Sequence, residues 1–199
     1  MQACYTDFST LSTEDLPRIA TLSMVIALGT QFFNMAPSSP DLPAGSERSM
    51  EDLGKALYAR VTSSIPELIK RPSFESVRAC LLLATYLFPI DLPGLAYTYL
   101  GLALHVAIRI GMHKRSYYSR QVPLPIREEQ TRVWWTLYTF YQRARIFHGH
   151  PPGLSHTDVD VDRPRPVQEL ETLNSVSNYR NQVALIEITF ILEDVAREM

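Results

Sequence analysis

All five histidines fall between His105 and His156. His148, His150 and His156, with Asp158 just beyond, offer the donor types of a transition-metal site. Their spacing argues against one. No two histidines stand four apart, the interval that sets two imidazoles on one helical face, and the segment around them is rich in proline. Loop and cap residues are the better reading. Asp158, Asp160 and Asp162 invite a second test, because Glu169 falls at the twelfth position of a calcium-loop count. That loop needs glycine at its sixth position for a sharp turn, and the chain has Arg163 there, with Pro164 and Pro166 stiffening the segment further. A solvent-facing aspartate row is expected instead, with Val159 and Val161 tucked onto the helices. Nucleophilic and phosphate chemistry lack their signatures too: there is no Gly-x-Ser-x-Gly elbow, phosphate-binding glycine loop or His-Glu-x-x-His. Cys80 sits on an apolar stripe, where a thiol is inert core. The chain is expected to be no enzyme and to hold no metal or other cofactor.

Charge is informative in its distribution. The 199 residues carry a formal net charge of -2, with 46% hydrophobic and 20% charged residues. That suits one folded domain and gives no support to generic nucleic-acid binding. From His105 to His150, however, the basic residues Arg109, Lys114, Arg115, Arg120, Arg127, Arg132, Arg143 and Arg145 meet only Glu128 and Glu129. Such a band could contact phosphate or an acidic partner; a solvated helix surface with helix-end charges explains it more simply. Two cysteines, Cys4 and Cys80, are too few for a disulfide framework or a thiolate zinc cluster, which predicts an intracellular chain. The N-terminus has neither a basic start nor a long apolar run. The apolar stretch from Ile19 to Phe33 is broken by Thr21, Ser23, Gly29, Thr30 and Gln31, so a buried helix is expected and no membrane partner.

The elements that would position these residues are helices. Proline-led breaks at 36–45, 89–93, 123–125 and 149–166 separate segments whose apolar residues recur every three and four positions. The expected fold is all-α, an irregular bundle of about six helices with a proline-rich loop at 149–168. The first helix runs from Asp15 to Met35, with Asp15 as N-cap. The second starts near Ser49, where Ser49 and Asp52 resemble a capping box, and puts Leu53, Leu57, Val61 and Ile65 on one stripe. The third starts at Ser73 and buries Val77, Cys80, Leu81, Ala84, Leu87 and Phe88. The fourth, 94–110, ends at Gly111 as a left-handed cap. The fifth opens with Pro125, closes at Gly149, and presents Val133, Leu137, Phe140, Ala144 and Phe147 as its core face. The sixth, 176–199, is apolar at Val183, Ile186, Phe190 and Ile191 and has no stop signal. Ala103, Ala107 and Gly111 form a small-residue ridge against which Trp134 and Trp135 are expected to pack.

Three segments carry a resemblance. Tyr99–Lys114, which includes Gly101, Gly111 and His113, is similar to the helix ending in Leu-Gly-Leu-His-Arg of the fungal-specific transcription factor domain. That domain is the middle homology region of fungal zinc binuclear cluster regulators. Glu128-Glu129-Gln130-Thr131-Arg132-Val133-Trp134-Trp135 resembles its second hallmark, an acidic-then-basic helix start leading into Arg-x-Trp-Trp. Gly149-His150-Pro151, followed by Asp158-Val159-Asp160, resembles Gly-Arg-Pro and an Asp-x-Asp loop. The chain departs from the pattern at Tyr141-Gln142, where relatives carry Asp-Arg, and at His150.

The resemblance implies that residues 1–199 form one partial regulatory domain, with 1–12 as a flexible lead-in. It implies transcription regulation in the nucleus, with DNA engaged only indirectly. The six-cysteine zinc cluster that binds DNA and zinc in full-length family members is absent from this chain. Partners would be proteins, a homodimer or a full-length relative among them, with a small-molecule effector as a further expectation. Tyr97, Trp134, Tyr138 and Tyr141 are the candidate pocket lining. The rival reading is a stand-alone helical module that dimerises with a full-length regulator and modulates it.

Overall fold

The computed structural model describes residues 15–35, 46–90, 93–119, 121–151, 153–170 and 178–198. Cys4, Arg120, the lead-in at 1–12 and the break at 36–45 lie outside the described residues. Six helices are present among them: α1 (Leu16–Met35), α2 (Ser46–Lys70), α3 (Phe74–Leu87), α4 (Pro93–Arg109), α5 (Leu124–Phe147) and α6 (Asn178–Glu198). Short 3-10 turns stand at Phe88–Ile90, Arg115–Tyr117, His156–Asp158 and Gln168–Leu170. The described residues contain no strand, only one isolated bridge between Lys114 and Asp160. The all-α expectation is borne out. The chain divides into two compact units, Met1–Ala96 and Tyr97–Met199, with the boundary inside α4.

In the first unit α1 packs on both α2 and α3. Ala20, Met24 and Ala27 are fully buried, and Thr21 sets its hydroxyl 3.0 Å from the Pro17 carbonyl and 3.1 Å from the Glu75 carboxylate. Gln31 donates to the Tyr86 carbonyl at 2.8 Å. The opposite face of α1 exposes Leu22, Val25, Ile26 and Phe32, so the helix is buried on one side only. By length and composition alone it could cross a membrane; its inner face is committed to α2 and α3. Ser73 caps α3 as expected, its hydroxyl accepting from the Ser76 N–H at 3.1 Å.

Several expected faces shift. The second helix starts three residues before Ser49, so Ser49 and Asp52 lie inside it and no capping box forms there. Serine is only mildly unfavourable in a helix interior, which is why its presence misplaces a start. Leu53 is exposed on α2, Leu57 and Ile65 are half-buried, and only Val61 of that stripe is fully enclosed. Phe88 falls in the 3-10 turn beyond α3 and is exposed. On α5 the buried stripe is Thr131, Trp134, Trp135, Leu137, Tyr138, Gln142 and Arg145, whereas Phe147 is 86% exposed. Apolar residues occur on most faces of α5, and the indole pair, with the larger area to remove from water, wins the interior. Ile191 points outward on α6, where Ile186 is buried.

The small-residue ridge behaves differently from expectation. Ala103 and Ala107 are buried, but Gly111 has φ +85° and a Cβ built on it would meet nothing within 4 Å. Gly111 is there for its left-handed backbone, as a helix cap, and not for a close approach. Close backbone approaches join α1 to α2, α1 to α3 and α5 to α6, and α4 with α5 is not among them. Trp135 turns to Phe190 of α6, 6.0 Å between ring centres. The tight glycine contact is elsewhere: a Cβ on Gly54 of α2 would stand 2.3 Å from Thr30 Oγ1 of α1.

These differences predict a ranking in chemical denaturation. Gly54→Ala should destabilise by about 1–3 kcal/mol through overpacking. Gly111→Ala should cost about 1–2 kcal/mol from backbone strain alone. Gly101→Ala, in an open helical position, should be neutral or stabilising by up to about 1 kcal/mol. Equal losses at all three would overturn the assignment.

Candidate functional site

The long segment after α5 contains four prolines, Pro151, Pro152, Pro164 and Pro166, which have no N–H to donate. Apart from one bridge it has no β partner among the described residues, so its polar backbone must be satisfied by side chains. One stripe of α5 does this. Glu128, 5% exposed, accepts from the Arg165 N–H at 2.8 Å and from Arg132 Nε at 2.9 Å. Arg132 in turn donates to the Arg165 carbonyl at 2.9 Å. A helical turn on, the Trp135 indole N–H donates to the Asp162 carbonyl at 2.8 Å. Two turns further, Gln142 donates to the Leu154 carbonyl and accepts from Arg145 Nε at 2.8 Å. Arg145 is buried and reaches the His150 carbonyl at 3.2 Å.

The end of α4 joins the same assembly. The Asp160 N–H donates to the His113 carbonyl at 2.9 Å, and Arg115 pairs with Asp162 at 3.1 Å and Asp160 at 3.5 Å. The Gly111–His113 turn, the Glu-Arg-Trp-Trp helix and the Asp-x-Asp loop, far apart in the chain, therefore converge on one structure. His113 sets its ring 6.4 Å from Trp134, and burial, together with the charge of Lys114, pushes its pKa below the ordinary histidine value. The Asp row is exposed and Val161 is buried as expected, while Val159 is only half-buried.

The candidate pocket residues separate into two pairs. Trp134 and Tyr138 are fully buried in the core of the second unit. Tyr97 and Tyr141 stack at 5.5 Å with their hydroxyls 3.4 Å apart, and Tyr97 also stacks on His150 at 4.5 Å. Burial, and then the bond to Tyr141, raises the Tyr97 hydroxyl to about 12. Gly149 adopts φ +66° beyond α5, and Pro151 is exposed. His148 and His150 stand 6.0 Å apart, while His156 turns to Glu193 and Phe190. Among the described residues no group of three or more His, Cys, Asp or Glu could hold a metal ion. Cys80 is buried and its thiol is pushed up to about 12 by desolvation, which removes the thiolate. Two cysteines cannot form a six-cysteine cluster, so these residues do not fit the zinc group of the resemblance.

Two important residues escape a sequence reading. Arg163 lays its guanidinium over Phe190 at 4.4 Å and Trp135 at 4.7 Å while pairing with Glu187 at 3.0 Å. Glu193, 2% exposed, accepts from the Tyr138 hydroxyl at 2.7 Å and the His156 N–H at 3.3 Å. The signal for Glu193 was a carboxylate placed after Ile186 and Phe190 at helical spacing, on the otherwise apolar side of α6.

The description "Fungal specific transcription factor domain" belongs to the family model that matches residues 6–198. An uncharacterised transcriptional regulatory protein of Schizosaccharomyces pombe is 29% identical over 174 residues, which are 87% of this chain and 21% of that protein. The thiamine repressible genes regulatory protein of the same yeast is 23% identical over 177 residues, 89% and 22% of the two chains. The acetamidase regulatory protein of Emericella nidulans is 26% identical over 149 residues, 74% and 17%. The chain thus spans about a fifth of the length of these relatives. No solved structure matches.

Two experiments test the assembly. Trp135→Phe should cost about 1 kcal/mol, and Glu128→Ala about 2–3 kcal/mol because it strands Arg132 and the Arg165 N–H. Both should speed hydrogen exchange at Asp160 and Arg165 more than in α3; unchanged exchange there would reject the clamp. The lowered His113 pKa means the fold favours the neutral ring. Its contribution is therefore present above the ordinary histidine range and is lost as pH falls through that range. His113→Gln should flatten the thermal midpoint between pH 7 and pH 5, and an unaltered slope would reject the role.

Proposed function

Since the chain belongs to the family of fungal specific transcription factor domains, a regulatory and not an enzymatic family, we propose that it acts in the nucleus as the protein-contact part of a transcription regulator. One observation carries this reading. The outer face of α6 exposes Leu185, Ile188, Ile191, Leu192 and Val195 as a continuous apolar stripe, with Ile191 63% exposed. An apolar face of this kind on a helix marks a contact surface. The outward residues of α1 form a second such face within the first unit. Regulation then consists of a partner binding one arrangement of the domain more tightly than another.

The same stripe supports the alternative, in which the chain pairs with a full-length relative and modulates it. Both readings require α6. A double variant, Ile188→Glu with Ile191→Glu, changes exposed positions and should leave the thermal midpoint within about 2 °C. In a reporter assay with the chain fused to an unrelated DNA-binding domain, it should abolish most of the wild-type effect. Retention of the full effect by the stable double variant would overturn the proposal. Loss of a concentration-dependent complex with a co-expressed full-length relative, with the fusion reporter silent throughout, would favour the modulating module.

A further inference from the structure

The first turn of α5, the 3-10 turn at Arg115–Tyr117 and the loop at 162–165 enclose a partly open cavity of about 200 Å³. Its lining includes Arg115, Arg127, Arg163 and Arg165 against two carboxylates, Glu128 and Asp162. Both carboxylates are already engaged. Glu128 accepts from Arg132 and the Arg165 N–H, and Asp162 pairs with Arg115 at 3.1 Å and Arg165 at 3.3 Å. Arg163 is held over Trp135 and Phe190 and by Glu187.

Arg127 differs from the other three. Its Nε is buried and has no hydrogen-bond acceptor. A guanidinium is a cation with five N–H donors in a fixed fork. That Nε has no accessible surface, so what Arg127 offers the cavity is an unpaired positive charge, and the chemistry that suits a guanidinium is an oxyanion presenting two oxygens in one plane. The exposed heads of Arg115 and Arg165 stand at the same cavity, each paired with Asp162, so an incoming oxyanion competes with that carboxylate for them. The positive end of α5 adds to the same field.

We propose that this cavity binds a small oxyanion, the phosphate or carboxylate group of a metabolite, with Arg127 as its principal ligand and Arg115 and Arg165 closing over it. The site stands independently of the α6 contact surface. Because Arg115 and Arg165 also hold the Asp-x-Asp loop, occupancy would tighten or loosen that loop against the end of α4.

Calorimetric titration of the whole chain with inorganic phosphate and with citrate, against sodium chloride at matched ionic strength, tests this. Saturable one-to-one binding is expected, at least about tenfold weaker in Arg127→Gln and unchanged in Arg143→Gln, an exposed arginine at the far end of α5. Tighter phosphate would identify a phosphoryl group as the head recognised, and tighter citrate a carboxylate. Should Arg127→Gln fail to fold, Arg115→Gln at the exposed rim decides, with a several-fold loss expected. No heat above the chloride control, or equal weakening by Arg127→Gln and Arg143→Gln, would overturn the proposal by reducing the effect to diffuse charge.

Discussion

A backbone poor in its own donors, pinned by the side chains of one helix, is the constraint on which the second unit depends. The segment from Gly149 to Val167 pairs little with itself: proline removes four N–H groups, one 3-10 turn ties Asp158 and Val159 back to Ser155 and His156, and among the described residues only Asp160 has a bridge partner. Buried polar backbone must nonetheless be satisfied. Glu128, Arg132, Trp135, Gln142 and Arg145 supply the acceptors and donors at intervals of three, four and seven along α5, so one helical face meets an extended chain along most of its length. Of the residues that make the Glu-Arg-Trp-Trp stretch recognisable, Glu128, Arg132 and Trp135 hold the loop, and Trp134 fills the core.

This explains what could be read in the chain and what could not. Helix number and breaks came from proline and from apolar spacing, and Ser73, Gly111 and Gly149 marked ends because capping chemistry is local. Faces were harder. On α5 the apolar residues surround the helix, and the buried side is chosen by polar groups such as Glu128 and Gln142, whose partners lie 12 to 37 residues away. No periodicity contains that information. The same applies to Gly54, whose importance comes from Thr30 on another helix.

The departure at Tyr141-Gln142 illustrates substitution within such a network. Gln142 is neutral, yet its amide serves both sides at once, donating to the loop carbonyl and accepting from the buried Arg145. An amide can do both at once, its NH2 donating and its oxygen accepting. Tyr141 meanwhile leaves the polar stripe and stacks with Tyr97, so the two neighbouring positions serve different surfaces.

The seating of α6 has a mechanical consequence. Near its start Gln182 donates to the Arg132 carbonyl at 2.6 Å, and near its end Glu193 accepts from Tyr138. Two polar anchors about 16 Å apart along the axis fix both the rotation and the axial position of the helix. Sliding it by a turn would leave a carboxylate in an apolar seam with no donor. The outward stripe is therefore held at a preset azimuth, and whatever docks on it meets a rigid template, with little ordering entropy lost on the α6 side of the encounter.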